Sequence, residues 1–316
     1  MLAVRDRARK PCPYDVTIGR GAVSAPYFRG RYLYSFILAL TGLERNGKIP
    51  LRMNPLDPAR IQAALTTQVF GRDLLILPRT GSTNDVAKEL AAQDAPEGTV
   101  VLADEQTSGR GRLERRWSAP AGACLLCSIL FRPALLPTQA LWLTMLCAMA
   151  AADAVQQVAG LRASLKWPND LIVESANWKK LAGILTETGI IGERLAFVVV
   201  GIGINVNVAP RDLPNLAPNA ASILAETGRE VDRVALLAAL LAEVEARYAR
   251  LRAGPSPRAE WAARLATLGQ RVNATTSKGT LSGVAETVDE DGALLVRTPD
   301  GALHRFLAGD VTLARL

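Results

Sequence analysis

Beyond Asp57 the apolar positions of the chain repeat with two periods, and the breaks between runs are sharp. Asp57 is placed to cap a helix running to about Gln68. Ser82–Ala92 reads as a second helix, opened by Ser-Thr-Asn-Asp, all good capping residues. Asp73–Leu77 and Thr99–Asp104 have strand character, and the continuous apolar run Gly122–Phe131 predicts a strand buried on both faces. Thr138–Ala159 is a long apolar helix between Pro137 and a terminating Gly160. Short strands at Leu165–Trp167 and Leu171–Glu174 flank a Pro-Asn-Asp turn. Lys180–Thr188 and Arg194–Ile204 form a pair joined near Gly189–Gly192, and helices follow at Asp232–Leu251 and Arg258–Leu265. The pattern predicts an α+β fold, a mixed sheet with helices on at least one face.

After Leu268 the runs become short and alternating: Arg271–Thr275, Thr280–Val288, Ala293–Arg297, His304–Leu307 and Val311–Leu313. Lys278-Gly279, Asp291-Gly292 and Asp300-Gly301 separate them, and Asp-Gly between alternating runs is a strong hairpin signal. A small antiparallel barrel is expected over 269–316, after a larger domain at 53–268. Residues 1–52 look foreign to both: they hold four of the five tyrosines, none of the tryptophans and no helix-turn-helix pattern. The expectation is a poorly ordered or non-native extension, with Met53 as the natural start.

Charge supports that division. The chain has 316 residues and a net charge of +7. Residues 1–52 carry ten Lys/Arg against Asp6, Asp15 and Glu44, which accounts for all of the excess. The body is balanced, so basicity is no argument for nucleic-acid binding. With 49% hydrophobic and 21% charged residues the chain can bury a substantial core.

Four cysteines give no disulfide framework, and Cys124 and Cys127, three apart on an apolar strand, should point to opposite faces of a core. One histidine, His304, leaves no material for a histidine triad or a His-rich metal site. No apolar run is expected to span a bilayer, and a reduced cytoplasm is the expected location.

The unusual residues cluster at strand ends and turns, where sites are built. Thr107–Trp117, TSGRGRLERRW, puts four arginines and two glycines between two apolar runs. Such a loop makes sense if an anion occupies it, because guanidinium forks and backbone N–H groups grip phosphate. Gly81-Ser82-Thr83-Asn84, Gln106, Lys166-Trp167-Pro168-Asn169-Asp170, Lys180-Leu181-Ala182-Gly183 and Gly201-Ile202-Gly203-Ile204-Asn205 complete the set. Singly, each also fits a bland role such as a helix cap, a surface lysine or a close strand packing.

In this order and spacing the segments resemble those of the biotin protein ligase family, from about Asp57 to Leu316. The resemblance implies a catalytic domain similar to class II aminoacyl-tRNA synthetases and an SH3-like C-terminal barrel that helps bind ATP or the carrier protein. It implies that biotin and ATP, with Mg2+ on the phosphates, form biotinyl-5′-AMP. A lysine of a biotin carboxyl carrier protein then takes the biotinyl group. By the same resemblance Ser82, Thr83 and Asn84 hold the ureido ring and Gln106 faces biotin. Gly109, Arg110, Gly111 and Arg112 close over the adenylate, with Lys166 beside the carboxylate. Trp117, Asn169, Lys180 and Asn205 surround the nucleotide, and Gly183, Gly201 and Gly203 let backbone approach the ligand. Lys166, Arg110 and Arg112 are the expected catalytic cations, with no dedicated metal cluster.

One residue departs from the family pattern: Glu114 stands where a glycine is usual. If that position needs φ > 0, a non-glycine residue costs about 1 kcal/mol. A lipoate ligase or octanoyltransferase of the same fold is the first alternative and a biotin-dependent repressor the second. The resemblance implies neither a membrane nor a specific DNA contact, and homodimerisation stays open.

Overall fold

In the computed structural model the described residues are 56–113, 115–174, 178–276, 279–307 and 309–314. Expectations for residues 1–52, the Met53 start, Glu114 and the turn at 175–177 lie outside them.

The first helix is shorter than its pattern suggests. α1 (Pro58–Ala64) is capped by Asp57, whose side chain accepts the Arg60 N–H, but it stops at an extended Leu65. Glu245, on a distant helix, takes the backbone N–H groups of Gln68, Val69 and Phe70 at 2.7, 2.8 and 3.0 Å. A carboxylate that satisfies three amides outweighs the weak helical preference of Thr66-Thr67.

β1 (Leu74–Leu77), α2 (Thr83–Ala92), β2 (Val100–Ala103) and β3 (Cys124–Phe131) follow within two residues of their predicted ends. Next come α3 (Leu141–Ala159), β4 (Ser164–Lys166), β5 (Asp170–Val173), β6 (Lys179–Ile191) and β7 (Arg194–Asn205). The helices α4 (Ile223–Thr227), α5 (Arg233–Arg252) and α6 (Arg258–Ala263) end this part. α4 was not foreseen. Ser222 caps it and Gly228 ends it in a left-handed turn, but five residues are too few to display a period.

The seven strands form one sheet in the order β1-β2-β3-β7-β6-β5-β4. Only β1 and β2 run parallel, so the sheet is mixed. α3 and α5 cover one face. Phe131 packs against Tyr248 of α5 with ring centroids 5.2 Å apart, and Thr144 of α3 hydrogen bonds Thr186 of β6 at 2.6 Å. The stretch Pro137–Ala159 is, against expectation, long and apolar enough to cross a membrane, with a mean hydropathy of 1.3. Here 67% of it is buried within the protein, which makes it a core helix. α2 covers only one end of the opposite face, and the remainder of that face is free to form a site.

Alternation along β3 sends Cys124 and Cys127 to opposite faces. Cys124 packs beside Trp117 and Leu213, and Cys127 influences Cys147 of α3. Burial pushes the thiols of Cys124 and Cys127 up to about 12 and raises that of Cys147 well above its ordinary value.

A second, five-stranded antiparallel sheet comprises β8 (Arg271–Thr276), β9 (Gly279–Val288), β10 (Leu294–Arg297), β11 (Leu303–Phe306) and β12 (Asp310–Leu313), in the order β11-β10-β9-β8-β12. Trp167 binds it to the first part. The backbone N–H of Trp167 donates to Thr267 Oγ1 and its Nε1 donates to the Gly292 carbonyl, both at 2.9 Å.

Two outcomes are expected. At pH 8 a thiol with pKa near 12 is ionised in only about one molecule in ten thousand. Cys124, Cys127 and Cys147 should therefore resist iodoacetamide in the native protein and react in urea, read by mass spectrometry. Trp167→Phe leaves the buried Gly292 carbonyl unpaired and should lower stability by about 1–3 kcal/mol, read as the shift in urea midpoint.

Candidate active site

The bed of the site is sheet without side chains. Gly183 of β6 and Gly203 of β7 face each other in register, and Trp117 lies across them. A methyl group at Gly203 would stand 2.7 Å from Trp117 Cε2, and one at Gly183 3.0 Å from its Cζ3. Farther along, Gly201 pairs with Ser128 of β3 and Leu185 of β6. A methyl group there would be 2.2 Å from Asn84 Oδ1. The expectation that these glycines admit a ligand to the backbone is corrected. Asn84 and Trp117 take that space and become the inner wall.

Asn84 is held from three sides. Ser128 Oγ donates to its Oδ1 at 2.6 Å and also hydrogen bonds Thr83 Oγ1 at 2.8 Å. Asn84 Nδ2 donates to Glu187 Oε2 at 2.8 Å and to the Leu185 carbonyl at 3.2 Å. Ser82 occupies the cap position of α2 without a side-chain hydrogen bond. Gln106, from the loop after β2, supplies the cap instead: its Oε1 accepts the Thr83 N–H at 2.8 Å and the Thr83 hydroxyl at 3.1 Å.

The basic segment between β2 and β3 doubles back as a small hairpin. Arg110 bridges to Arg116, Gly111 N–H donates to the Arg115 carbonyl at 2.6 Å, and Trp117 N–H donates to the Gly109 carbonyl at 2.9 Å. Leu113 sits at the tip with φ +53°. The arginines diverge. Arg110 reaches Asp85 and Glu187 at 2.6 and 2.7 Å. Arg112 Nη1 donates to Asn169 Oδ1 at 3.4 Å, and Arg115 pairs with Asp310 of β12 at 2.7 Å.

Lys166 ends β4 in register with Asp170, which opens β5, and the Trp167–Pro168 bond between them is cis. Asn169 Nδ2 donates to the Ile184 carbonyl at 2.6 Å. Lys180 Nζ is 2.7 Å from Asp170 and 5.7 Å from the centre of the Trp117 ring. Asn205 donates to the Ala221 carbonyl at 2.8 Å and accepts the Cys124 thiol at 3.5 Å, so both ends of its amide are engaged. Trp117 Nε1 is buried without a partner.

These segments border one cleft of about 1310 Å³. A single small ligand is usually held in about 300–1,000 Å³, so there is room for two side by side. Every residue expected from the sequence lines the cleft except Gly109. Gly109 packs beneath it, where a methyl group would meet the Trp117 carbonyl at 2.4 Å. The sequence reading missed Ser128, Asp85, Glu187 and Asp310. Ser128 left a signal, as the one hydroxyl in the apolar run of β3. The three acids did not.

Burial lowers the Lys166 pKa although Asp170 and Asp310 pull it up, and it lowers that of Arg112 against the same two carboxylates. For Asp310 burial pulls upward, but the Arg115 hydrogen bond and the charges of Arg115, Lys166 and Lys180 hold it below the usual aspartate value. Lys166 and Arg112 form no ion pair among the described residues. Desolvated cations of this kind gain most when an anion arrives.

Comparison with known proteins places this architecture. Residues 76–205 match the biotin/lipoate A/B protein ligase family, and residues 267–313 match the biotin protein ligase C-terminal domain. Biotin–[acetyl-CoA-carboxylase] ligases of Paracoccus denitrificans and Mycobacterium tuberculosis are 39% and 35% identical. The matches cover 72% and 83% of this chain and 95% and 97% of theirs. The biotin protein ligase of Aquifex aeolicus, solved in complex with biotin and ATP, aligns with a TM-score of 0.64 at 27% identity. It covers 78% of this chain and 100% of its own. The fold and the cleft are thus those of a protein ligase that works on a small carboxylic acid. The chain belongs to the biotin protein ligase family.

Gly203→Ala should displace the Trp117 indole and shift its emission, measured as the difference from a Trp117→Phe background. Gly81→Ala, whose new methyl group meets nothing within 4 Å, should leave that emission unchanged.

Proposed function

We infer that the chain is a biotin–[acetyl-CoA-carboxylase] ligase. It joins biotin and ATP to biotinyl-5′-AMP, releasing pyrophosphate, and passes the biotinyl group to a lysine of a biotin carboxyl carrier protein. The observation that carries this reading is the convergence of Lys166 and Arg112, both buried and without counter-ions among the described residues, on the cleft that Asn84 and Gln106 close at its other end.

The first step needs two anions to meet. The biotin carboxylate attacks the α-phosphorus of ATP and pyrophosphate leaves. Lys166 and Arg112 oppose the charge that gathers on the phosphoryl oxygens, an electrostatic contribution strengthened by their burial. No base is required, since the carboxylate attacks as an anion. Magnesium enters on the ATP phosphates, as that ion prefers. Asn84, Thr83 and Gln106 offer the hydrogen-bonding groups that suit a neutral ureido ring. Trp117 and Lys180 form the flat, cationic wall that suits a nucleotide. The hairpin over the cleft shields a labile mixed anhydride from water.

In the second step the neutral amine of the carrier lysine attacks the acyl carbon and AMP departs, its phosphate facing the same cations. β12 lines the cleft through Asp310 and Thr312. This supports the reading of the C-terminal sheet as an SH3-like domain that helps seat ATP or the carrier, beside a catalytic domain related to class II aminoacyl-tRNA synthetases. The C-terminal match favours biotin over lipoate as the acid.

The test is ATP- and biotin-dependent labelling of a carrier domain. Lys166→Ala and Arg112→Ala should each lower kcat/KM by about a hundredfold or more, the scale of a lost transition-state contact. Arg79→Ala, which removes an exposed pair with Glu105 outside the cleft, should leave it unchanged. Labelling with lipoate in place of biotin would overturn the reading.

A further inference from the structure

Arg110 is the site cation that the proposed chemistry does not use. Its guanidinium lies 2.6 Å from Asp85 Oδ1 and 2.7 Å from Glu187 Oε2. Lys88 Nζ closes the cluster at 2.7 Å from Glu187 Oε1 and 3.1 Å from Asp85 Oδ1. Two positive and two negative charges thus balance at the rim of the cleft. Asp85 and Lys88 belong to α2 and Glu187 to β6, elements rooted in the core. Arg110 alone comes from the basic hairpin. Its charge is neutralised where it stands, whereas those of Arg112 and Lys166 are not.

The cluster also reaches the inner wall. Glu187 Oε2 accepts from both Arg110 and Asn84 Nδ2. One carboxylate therefore ties the hairpin to the residue that closes the small-acid end of the cleft. Glu187 is the most sheltered of the four side chains, 21% exposed against 39% for Arg110 and 49% for Asp85. Burial works to raise its pKa, but the hydrogen bonds from Lys88 and Asn84 and the charges of Lys88 and Arg110 hold it below the usual glutamate value.

We propose that Asp85 and Glu187 form a clasp that holds the hairpin over the cleft through Arg110. Arg110 is then a positioning residue that sets how long the adenylate is retained, while Arg112 and Lys166 meet the reacting phosphate. The proposal rests on the reading that the cleft makes biotinyl-AMP. The clasp itself is a property of the unliganded chain and can be tested without that chemistry.

The full chain is compared with Asp85→Asn/Glu187→Gln, which keeps shape and every trypsin site of the hairpin. Asp85→Asn alone serves if the double variant does not fold. Two quantities are read: the rate of trypsin cleavage after Arg110, Arg112, Arg115 or Arg116 in the unliganded protein, located by mass spectrometry, and the rate at which purified protein loses radiolabelled biotinyl-AMP. Both should rise about five- to tenfold in the double variant, since each part-exposed pair is weak alone. In the parent, 0.5 M NaCl should raise both rates, because exposed charges are screened. In the variant it should change them little, a contrast that a purely steric role would not produce. Equal cleavage of variant and parent would overturn the clasp, whatever the chemistry. Faster cleavage with unchanged adenylate loss would overturn its role in retention. Faster cleavage in a chain that makes no biotinyl-AMP would support the clasp and overturn the function proposed above.

Discussion

Where two glycines face each other on neighbouring strands, a sheet exposes bare backbone, and here everything at the site depends on that. Gly183 and Gly203 give Trp117 a flat surface, and Gly201 gives Asn84 a recess. Any side chain at these positions would drive the wall outward into the cleft. The opposite face of the same strands is fully covered by α3 and α5, so the bare patch cannot be vacated by a shift of the sheet. The core fixes the strands, the strands fix the glycines, and the glycines fix the depth of the cleft.

Charge is then arranged upon that surface by degree of compensation. Arg110, Arg115 and Lys180 each hold a carboxylate from a different element: Asp85 and Glu187, Asp310, and Asp170 respectively. Lys166 and Arg112 hold none among the described residues. The cleft is therefore rich in cations without being strongly repulsive when empty. The two uncompensated ones stand where an incoming phosphate lowers the electrostatic energy most. The Arg115–Asp310 contact also makes β12 part of the wall.

Much of this was legible in the sequence because it is written locally. β3 and α3 are continuous apolar runs, and the turns at Gly292 and Gly301 carry the positive φ values, +80° and +85°, that Asp-Gly implies. The five site segments were visible as strings of unusual residues, and the cleft gathers them. What the strings do not carry is who fills the space above each glycine. Trp117 lies more than sixty residues from either of its glycines, and Asn84 more than a hundred from Gly201. Asp85 looks like any acid in the first turn of a helix, and Glu187 like an outward residue of a strand. Their pairing with Arg110 exists only once α2, β6 and the hairpin are brought together. The overlong reading of α1 failed for the same reason, since Glu245 decides where it ends.

The burial of α3 has a consequence for how the chain is made. Beyond the short turn that opens it, the partners against which α3 packs are β4, β5, β6, β7, α5 and α6, and a ribosome delivers all of them later than α3 itself. During synthesis this helix, apolar enough to pass for a bilayer segment, emerges before the surfaces that will cover it. The nascent protein thus presents a long greasy stretch to the cytosol until roughly a hundred further residues have followed. It is at that interval, rather than in the finished molecule, that chaperones have most to protect.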